Sequence, residues 1–424
     1  MATWVRGQRV LPNPRLSSSG TAAAMTGANV ESVGVDGWLL TSIIGLTAFG
    51  LVMVYSASEA LGYAWYRNAN YFFQRQIIGV VLGLVGMLVV MRVDYHRWRR
   101  FTRPLAIGMV FMLVLVLVPH IGADRFGARR WFMFGSISVQ PSAIATLVAI
   151  ICLSQWLADR GPLVRSFRGT RDYMILLGGL LVLILMEKDF GTTLVMALTG
   201  MALLTLGGVR KRHLFIIAAA LVVLGYLVIK MESYRASRLA HFGDPFADPL
   251  NTGFQSVQAL FALGSGGFTG VGLGNSIEKY QWLPEAHIDF IFAIIGEELG
   301  LLGTLCVIGA FVLLAWRGVR ACLGAPDVHG SLLAAGVTAW ISIQAFINIG
   351  AVTNVIPTTG LTLPFISYGG TSLAVTLIAV GILCNVSTQA RRQGAQRRAY
   401  IDRWRGNGRS PDPRSGGRPG VGAR

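Results

Sequence analysis

The chain has 424 residues, of which 53% are hydrophobic and only 13% charged, and it carries a formal net charge of +17 at pH 7. So apolar a composition is not that of an ordinary soluble domain, and the apolar residues gather in runs near the ~20 residues needed to cross ~30 Å of hydrocarbon. The alternation of a membrane β-barrel is missing, so the sequence predicts an all-α polytopic membrane protein.

Residues 1–35 carry Pro, Ser, Gly and scattered Arg without the apolar core of a signal peptide, and are expected to form a disordered cytoplasmic tail. The segment from Trp38 is long enough to be a true span that also directs insertion. Apolar runs follow at 36–57, 74–91, 104–121, 141–157, 172–187, 190–208, 214–230, 289–316, 328–350 and 367–388. Ten spans put both termini on one side. With both inside, the basic clusters at 92–103, 160–171, 210–212, Arg317 with Arg320, and the Arg-rich segment 389–424 become cytoplasmic, as the positive-inside rule requires. The stretch 172–208 is interrupted by Glu187, Lys188 and Asp189, yet two short spans are needed to return the chain to the basic side at Arg210. The segment 389–424 is expected to be a second disordered tail.

The positive excess does not point to nucleic acid. It sits in short loops beside spans and in the tail, where topology and anionic headgroups account for it, and no aromatic-basic binding module accompanies it. Cys152, Cys306, Cys322 and Cys384 all fall in spans or on the cytoplasmic side, which leaves no exported pair for a disulfide, and they lack metal-ligand spacing. The absence of a strong internal repeat weighs against an inverted-repeat transporter.

Three segments then face outward. In the first, GARRWF places Arg129 and Arg130, with Arg125 nearby, beside Trp131 on the side where positive charge is normally avoided. Such a cluster suits an anionic ligand, since a guanidinium fork matches phosphate; salt bridges to Asp124 or to other loop acids are the alternative. The second, 231–288, is too long for an idle connection, and its TGFQSVQALFALGSGGFTGVGLG stretch predicts a short amphipathic helix and a Gly-rich turn folded back into the bundle. It runs into Glu285, His287, Asp289, Glu297 and Glu298 at the edge of a span, and ionisable residues there mark a functional site. Pro284 predicts the first turn of a helix, on which Glu285 and Asp289 share a face. On the same helix Glu297 is expected to point inward, with Glu298 on the opposite face. The third, NIGAVTNVIPTTGLTLPFISYGGTSL, crowds Pro357, Gly360, Pro364, Ser367, Gly369 and Gly370 together, and reads as a broken helix that is either a rigid corner or a ligand contact.

These residues carry a resemblance. LGNSIEKYQWLPEAHIDFIFAIIGEELG, GLTLPFISYGG, GARRW followed by VQPS, and DFGTTL resemble the SEDS family of shape, elongation, division and sporulation proteins, in order, over residues 36–388. PEAH and GLTLP are closer to the division-type, FtsW-like branch than to the elongation branch, which tends to carry PERH. The resemblance implies a ten-helix core with a large extracytoplasmic loop between helices seven and eight. It also implies a peptidoglycan glycosyltransferase that polymerises lipid II on the outer face of the cytoplasmic membrane, with a class B penicillin-binding protein and other division proteins as partners. The family's catalytic aspartate falls on Asp289 and its loop arginine on Arg130, with Arg129 an extra charge. Lys279, Glu285 and His287 match further motif positions as substrate-binding candidates, and Glu297, Glu298, Pro364, Ser367, Gly369 and Gly370 as structural or activation candidates.

The chemistry of such a site is a carboxylate base for a sugar hydroxyl, with cations for the leaving pyrophosphate: arginines, Lys279, or a divalent Mg or Mn ion. Inversion at the anomeric carbon needs one base; a covalent route needs a second carboxylate, for which Glu285 is the candidate. The chain departs from the family pattern at Ala143 and Thr146, where a Glu and Lys pair is usual, at Ile288, where Thr is usual, and at Thr359, where some division-type members carry Lys. A lipid II flippase or carrier, and a non-catalytic scaffold that recruits the penicillin-binding protein, are the competing readings.

Overall fold

The computed structural model describes residues 34–125, 128–135, 137–230, 242–280 and 282–406. The expected tails at 1–33 and 407–424, and the start of the long outer segment at 231–241, lie outside the described residues. Residues 34–393 form one compact unit; of a second unit, residues 394–406 are the described part.

The helices are α1 (Gly37–Tyr66), α2 (Tyr71–Arg92), α3 (Thr102–Leu117), α4 (Pro141–Arg160), α5 (Phe167–Met186), α6 (Phe190–Leu206), α7 (Lys211–Lys230), α8 (Phe254–Ser265), α9 (Ile291–Gly324), α10 (Val328–Val352) and α11 (Gly370–Gly406). Every predicted apolar run falls on a helix. Among the described residues eight of these helices are long and apolar enough to cross a membrane, while α3 and α6 are shorter apolar helices. The helix starts follow local chemistry: side chains of Asp36, Ser166, Asp189 and Asp327 accept from the first free N–H groups of α1, α5, α6 and α10.

Two helix ends and one small sheet differ from the sequence reading. Helix α1 runs past the predicted end to Tyr66 and stops where Arg67 turns left-handed and its N–H reaches back to Gly62 and Tyr63. Helix α11 continues to Gly406 through residues expected to be disordered, because Gln, Ala and Arg extend a helix readily. The first outer segment also holds a small antiparallel sheet, β1 (Ala123–Arg125), β2 (Ala128–Phe134) and β3 (Ile137–Val139), which the sequence did not suggest. Its strands are too short for alternation to register against the surrounding helices.

Two apolar clusters make the core. One joins α1, α2, α8, α9, α10 and α11 with the 361–366 segment; the other joins α3, α4, α5 and α6. Helices α4, α10 and α11 are mostly buried, whereas α7 leaves Phe215, Val222 and Leu224 exposed. Apolar side chains turned outward round the bundle match a hydrocarbon solvent, in which backbone groups must be paired internally.

Candidate active site

The long outer segment is tied into the bundle by backbone. After α8 the chain turns through residues 266–274 against the middle of α9, which is broken at Gly300 (φ 65°, ψ −162°). The N–H groups of Val271 and Gly272 donate to the carbonyls of Glu297 and Glu298, each at 3.0 Å, and Leu301 N–H donates to Gly267 O at 3.0 Å. A Cβ on Gly300 would lie 2.4 Å from Gly270 N, so only glycine allows this approach.

Both glutamates of the break are buried, so Glu298 is an inward acid as well as Glu297, and each has its own set of partners. The Glu297 carboxylate accepts from Ser276 Oγ and, at 2.8 Å, from Ile277 N–H. Glu298 accepts from Ser56 Oγ at 2.6 Å and pairs with Lys279 Nζ at 3.3 Å, and Lys279 also donates to Gly274 O at 2.5 Å. Lys279 is 4% exposed. Instead of reaching outward to a phosphate, it neutralises a buried acid and holds α1, the loop and α9 together.

Pro284 does not start a helix. Glu285 adopts a left-handed conformation (φ 55°), Ile288 N–H closes a turn on Glu285 O at 2.9 Å, and α9 begins only at Ile291. Glu285 and Asp289 therefore do not share a helix face. Burial raises the Glu285 carboxyl above its ordinary range. His287 is buried against Phe72, with ring centroids 4.5 Å apart, and Tyr368, at 5.5 Å, while its carbonyl accepts from Tyr368 N–H at 2.9 Å. Burial pushes its imidazole down to about 4, so at neutral pH the ring is uncharged packing.

Asp289 ends this turn half-buried and lines a small, open-sided hollow with Asn348, Thr358, Thr359 and Gly360, beside the apolar Phe290, Ala351, Val352 and Leu361. Asn348, near the end of α10, donates from Nδ2 to Asp289 O at 2.8 Å and to Leu361 O at 2.6 Å. One turn earlier Gln344 Nε2 donates to Thr362 O at 2.9 Å. The broken segment is thus latched along α10. Gly360 is left-handed (φ 69°), and a Cβ there would stand 3.9 Å from Asp289 Oδ2. Farther on, the corner is rigid: Pro364 is buried, Ser367 Oγ accepts from Leu363 N–H at 2.7 Å, Gln76 joins Ser367 O at 3.0 Å to Gly369 N–H at 3.1 Å, and Gly370 packs on Gly79.

The arginine strand reaches the same region through the turn between α5 and α6. Arg130 Nε donates to Glu187 O at 3.1 Å and Nη2 to Lys188 O at 2.6 Å. Arg129 stands opposite Asp124 in the β1–β2 register. Asp189 caps α6 and also accepts from Gln140 Nε2 at 3.0 Å and Ser142 Oγ at 3.1 Å, which joins the VQPS and DFGTTL motifs. Gly191 beside it packs on Thr359 O and Leu361. The Glu187 side chain is buried, and burial, with Asp189 adding and Arg130 opposing, raises its carboxyl to about 9. Arg130 thus holds the α5–α6 turn, a part the sequence reading did not name. Asp189, Glu187 and Asn348 escaped it; the Asp followed by Thr three residues on is an N-cap signature that marks Asp189.

At the departures from the family pattern, Ala143 and Thr146 are buried, and Thr146 Oγ1 bonds back to Ser142 O at 2.9 Å. Losing both members of a charge pair leaves no stranded charge there. The donor set round Asp289 offers one carboxylate with amide and hydroxyl oxygens, and no group of three His, Cys, Asp or Glu side chains fit for a metal ion occurs among the described residues. These residues do not fit a protein-held divalent cation.

The helices define a multi-pass membrane protein, and the hollow beside Asp289 lies where its broken segments meet. The model of the cell cycle protein family of FtsW, RodA and SpoVE matches residues 37–392, and the chain belongs to that family. It is 43% identical over 353 residues to the probable peptidoglycan glycosyltransferase FtsW of Geobacter metallireducens, covering 83% of this chain and 94% of that one. It is 41% identical over 350 residues to the stage V sporulation protein E of Bacillus subtilis, covering 82% and 95%. Among solved structures, a chain of a peptidoglycan synthase complex that coordinates polymerization and crosslinking matches with TM-score 0.70 and 27% identity, over 83% of this chain and 97% of that one. The rod shape determining protein RodA of Thermus thermophilus matches with TM-score 0.62 and 26% identity, over 83% and 96%.

Proposed function

We propose that this protein is a peptidoglycan glycosyltransferase of septal wall synthesis, which polymerises lipid II into β-1,4 glycan on the outer face of the cytoplasmic membrane, with both termini cytoplasmic. A class B penicillin-binding protein is its partner, within a larger set of division proteins. The observation that carries the reading is the half-buried carboxylate of Asp289 on a hollow of mixed lining, held by a latch that fixes its main chain.

In the reaction the terminal sugar hydroxyl of one lipid-linked chain attacks the anomeric carbon of another. Asp289 takes the hydroxyl proton, the new C–O bond forms, and the bond to the pyrophosphate breaks with its electron pair going to the leaving group. One displacement inverts the α-linked donor to a β product, and a second opposed carboxylate is not needed. Glu285 is poorly suited to that second part, since it opens the turn that Asp289 ends, shares no helix face with it, and has its carboxyl raised. Charge on the departing pyrophosphate is met by Arg130: two of its five N–H donors hold the α5–α6 turn and the rest remain for the phosphate, with Arg129 alongside. The test uses the purified protein with its penicillin-binding partner and labelled lipid II. Wild type forms glycan polymer and Asp289→Asn does not; equal polymer from both removes Asp289 as base, and none from either supports a carrier or scaffold.

A further inference from the structure

Asn348 is 2% exposed and its Nδ2 donates to two main-chain carbonyls, Asp289 O at 2.8 Å and Leu361 O at 2.6 Å. Carbonyls only accept, so the orientation of the amide is settled: Nδ2 faces them and Oδ1 faces away. Asn348 Oδ1 is buried with no hydrogen-bond partner among the described residues, and so is Thr359 Oγ1. Both residues line the hollow that Asp289 lines. A buried acceptor left unsatisfied carries its full desolvation cost, which a ligand with a donor hydrogen relieves.

The chemistry of the missing donor narrows the ligand. A polyprenyl chain has no hydrogen to give. A pyrophosphate presents acceptors only and would meet Asp289 as a like charge, so it belongs on the arginine side, toward Arg130 and the α5–α6 turn. A sugar edge presents hydroxyl hydrogens next to the one that Asp289 removes. We propose that Asn348 Oδ1 accepts a hydrogen bond from a hydroxyl neighbouring the reacting one on the acceptor sugar, and that Thr359 Oγ1 donates to that hydroxyl's oxygen, which makes this hollow the acceptor-saccharide subsite. The inference rests on the glycosyltransferase reading and adds to it the side of the site that each substrate occupies. The same amide positions the base: one face of Asn348 holds the Asp289 main chain and the other holds the sugar.

The test is a cycle between enzyme and substrate. Polymerisation is followed with intact lipid II and with lipid II deoxygenated at C3 or at C6 of its N-acetylglucosamine, for wild type, Asn348→Ala and Thr359→Val, each checked by thermal melting. Wild type is expected to lose about tenfold in kcat/KM on one deoxy substrate, the scale of one hydrogen bond to a site left unpaired, and in each variant that ratio collapses toward one. A residue that is only a strut lowers both substrates equally and leaves the ratio at its wild-type value; that result overturns the inference, as does wild type indifferent to both deoxygenations. Should Asn348→Ala not fold, Thr359→Val carries the comparison, because it keeps shape and lacks only the hydroxyl. Failure of wild type to polymerise intact lipid II removes the underlying reading, and the inference with it.

Discussion

A base acting on a sugar alcohol depends on position more than on charge alone. Asp289 sits at the end of a turn whose carbonyl is pinned by Asn348, so its reach is set by backbone. Asp289→Glu keeps the carboxylate and moves it by one methylene; a misplacement of about 1 Å is expected to lower turnover on the order of 10²-fold with the melting temperature unchanged, as single-turnover polymerisation and a melt measure together. Glu187 yields a prediction about pH. Its carboxyl lies at about 9 in the folded chain against 4.5 ordinarily, so between those values the folded state holds a proton that the unfolded state has released. Stability then falls as pH rises through that window, by at most about 1.4 kcal/mol per pH unit, and levels off above it. His287, pushed down to about 4 from 6.5, contributes the opposite slope between those values, so the useful quantity is wild type minus variant. Glu187→Gln is expected to melt higher than wild type at pH 8 and equally at pH 4; a difference that does not grow with pH counts against a buried, protonated Glu187.

At the scale of elements, the loop from residue 266 to 290 is held by a buried ion pair and a broken helix rather than by apolar packing alone. Lys279→Met leaves Glu298 buried without its cation, and removing one partner of such a pair costs about 3–5 kcal/mol, whereas Lys279→Met with Glu298→Leu recovers most of it. Chemical denaturation of the detergent-solubilised protein checks this; loss of activity without loss of stability in the single variant would instead return Lys279 to the substrate. The elements were largely legible beforehand, because apolar runs of span length are a strong signal and α8 with its Gly-rich turn was readable from short apolar stretches punctuated by Gly. The site was legible as a set of residues and not as an arrangement. Hydrophobic period gave no hint that Glu285 turns left-handed, so the helix was begun at Pro284 instead of Ile291 and two carboxylates were placed on one face. Lys279 meets Glu298 and Ser56, residues 19 and 223 positions away, and no local pattern encodes pairings of that range.

Across the whole molecule, the sheet, the α5–α6 turn, the 358–361 segment and the Asp289 turn are joined by the Arg130 and Asn348 side chains bonding to main-chain carbonyls and by close packing at Gly191, while the basic clusters gather in the connections that the positive-inside rule assigns to the cytoplasm. Arg99 pairs with Asp159 there, and Arg160 with Asp172 at 3.3 Å, so these connections hold their charges in ordinary exposed ion pairs. The proposed reaction needs the opposite face, since it lays down glycan outside the cell. That orientation is open to direct measurement with single cysteines. In a background with Cys152, Cys306, Cys322 and Cys384 replaced by Ala or Ser, Thr358→Cys reports from the rim of the hollow and Arg171→Cys from a basic connection. A membrane-impermeant maleimide added to intact spheroplasts is expected to modify the first and spare the second, with both modified after permeabilisation. Labelling of Arg171→Cys in intact spheroplasts would invert the topology, place Asp289 on the side where no glycan is polymerised, and leave the carrier reading to explain the hollow.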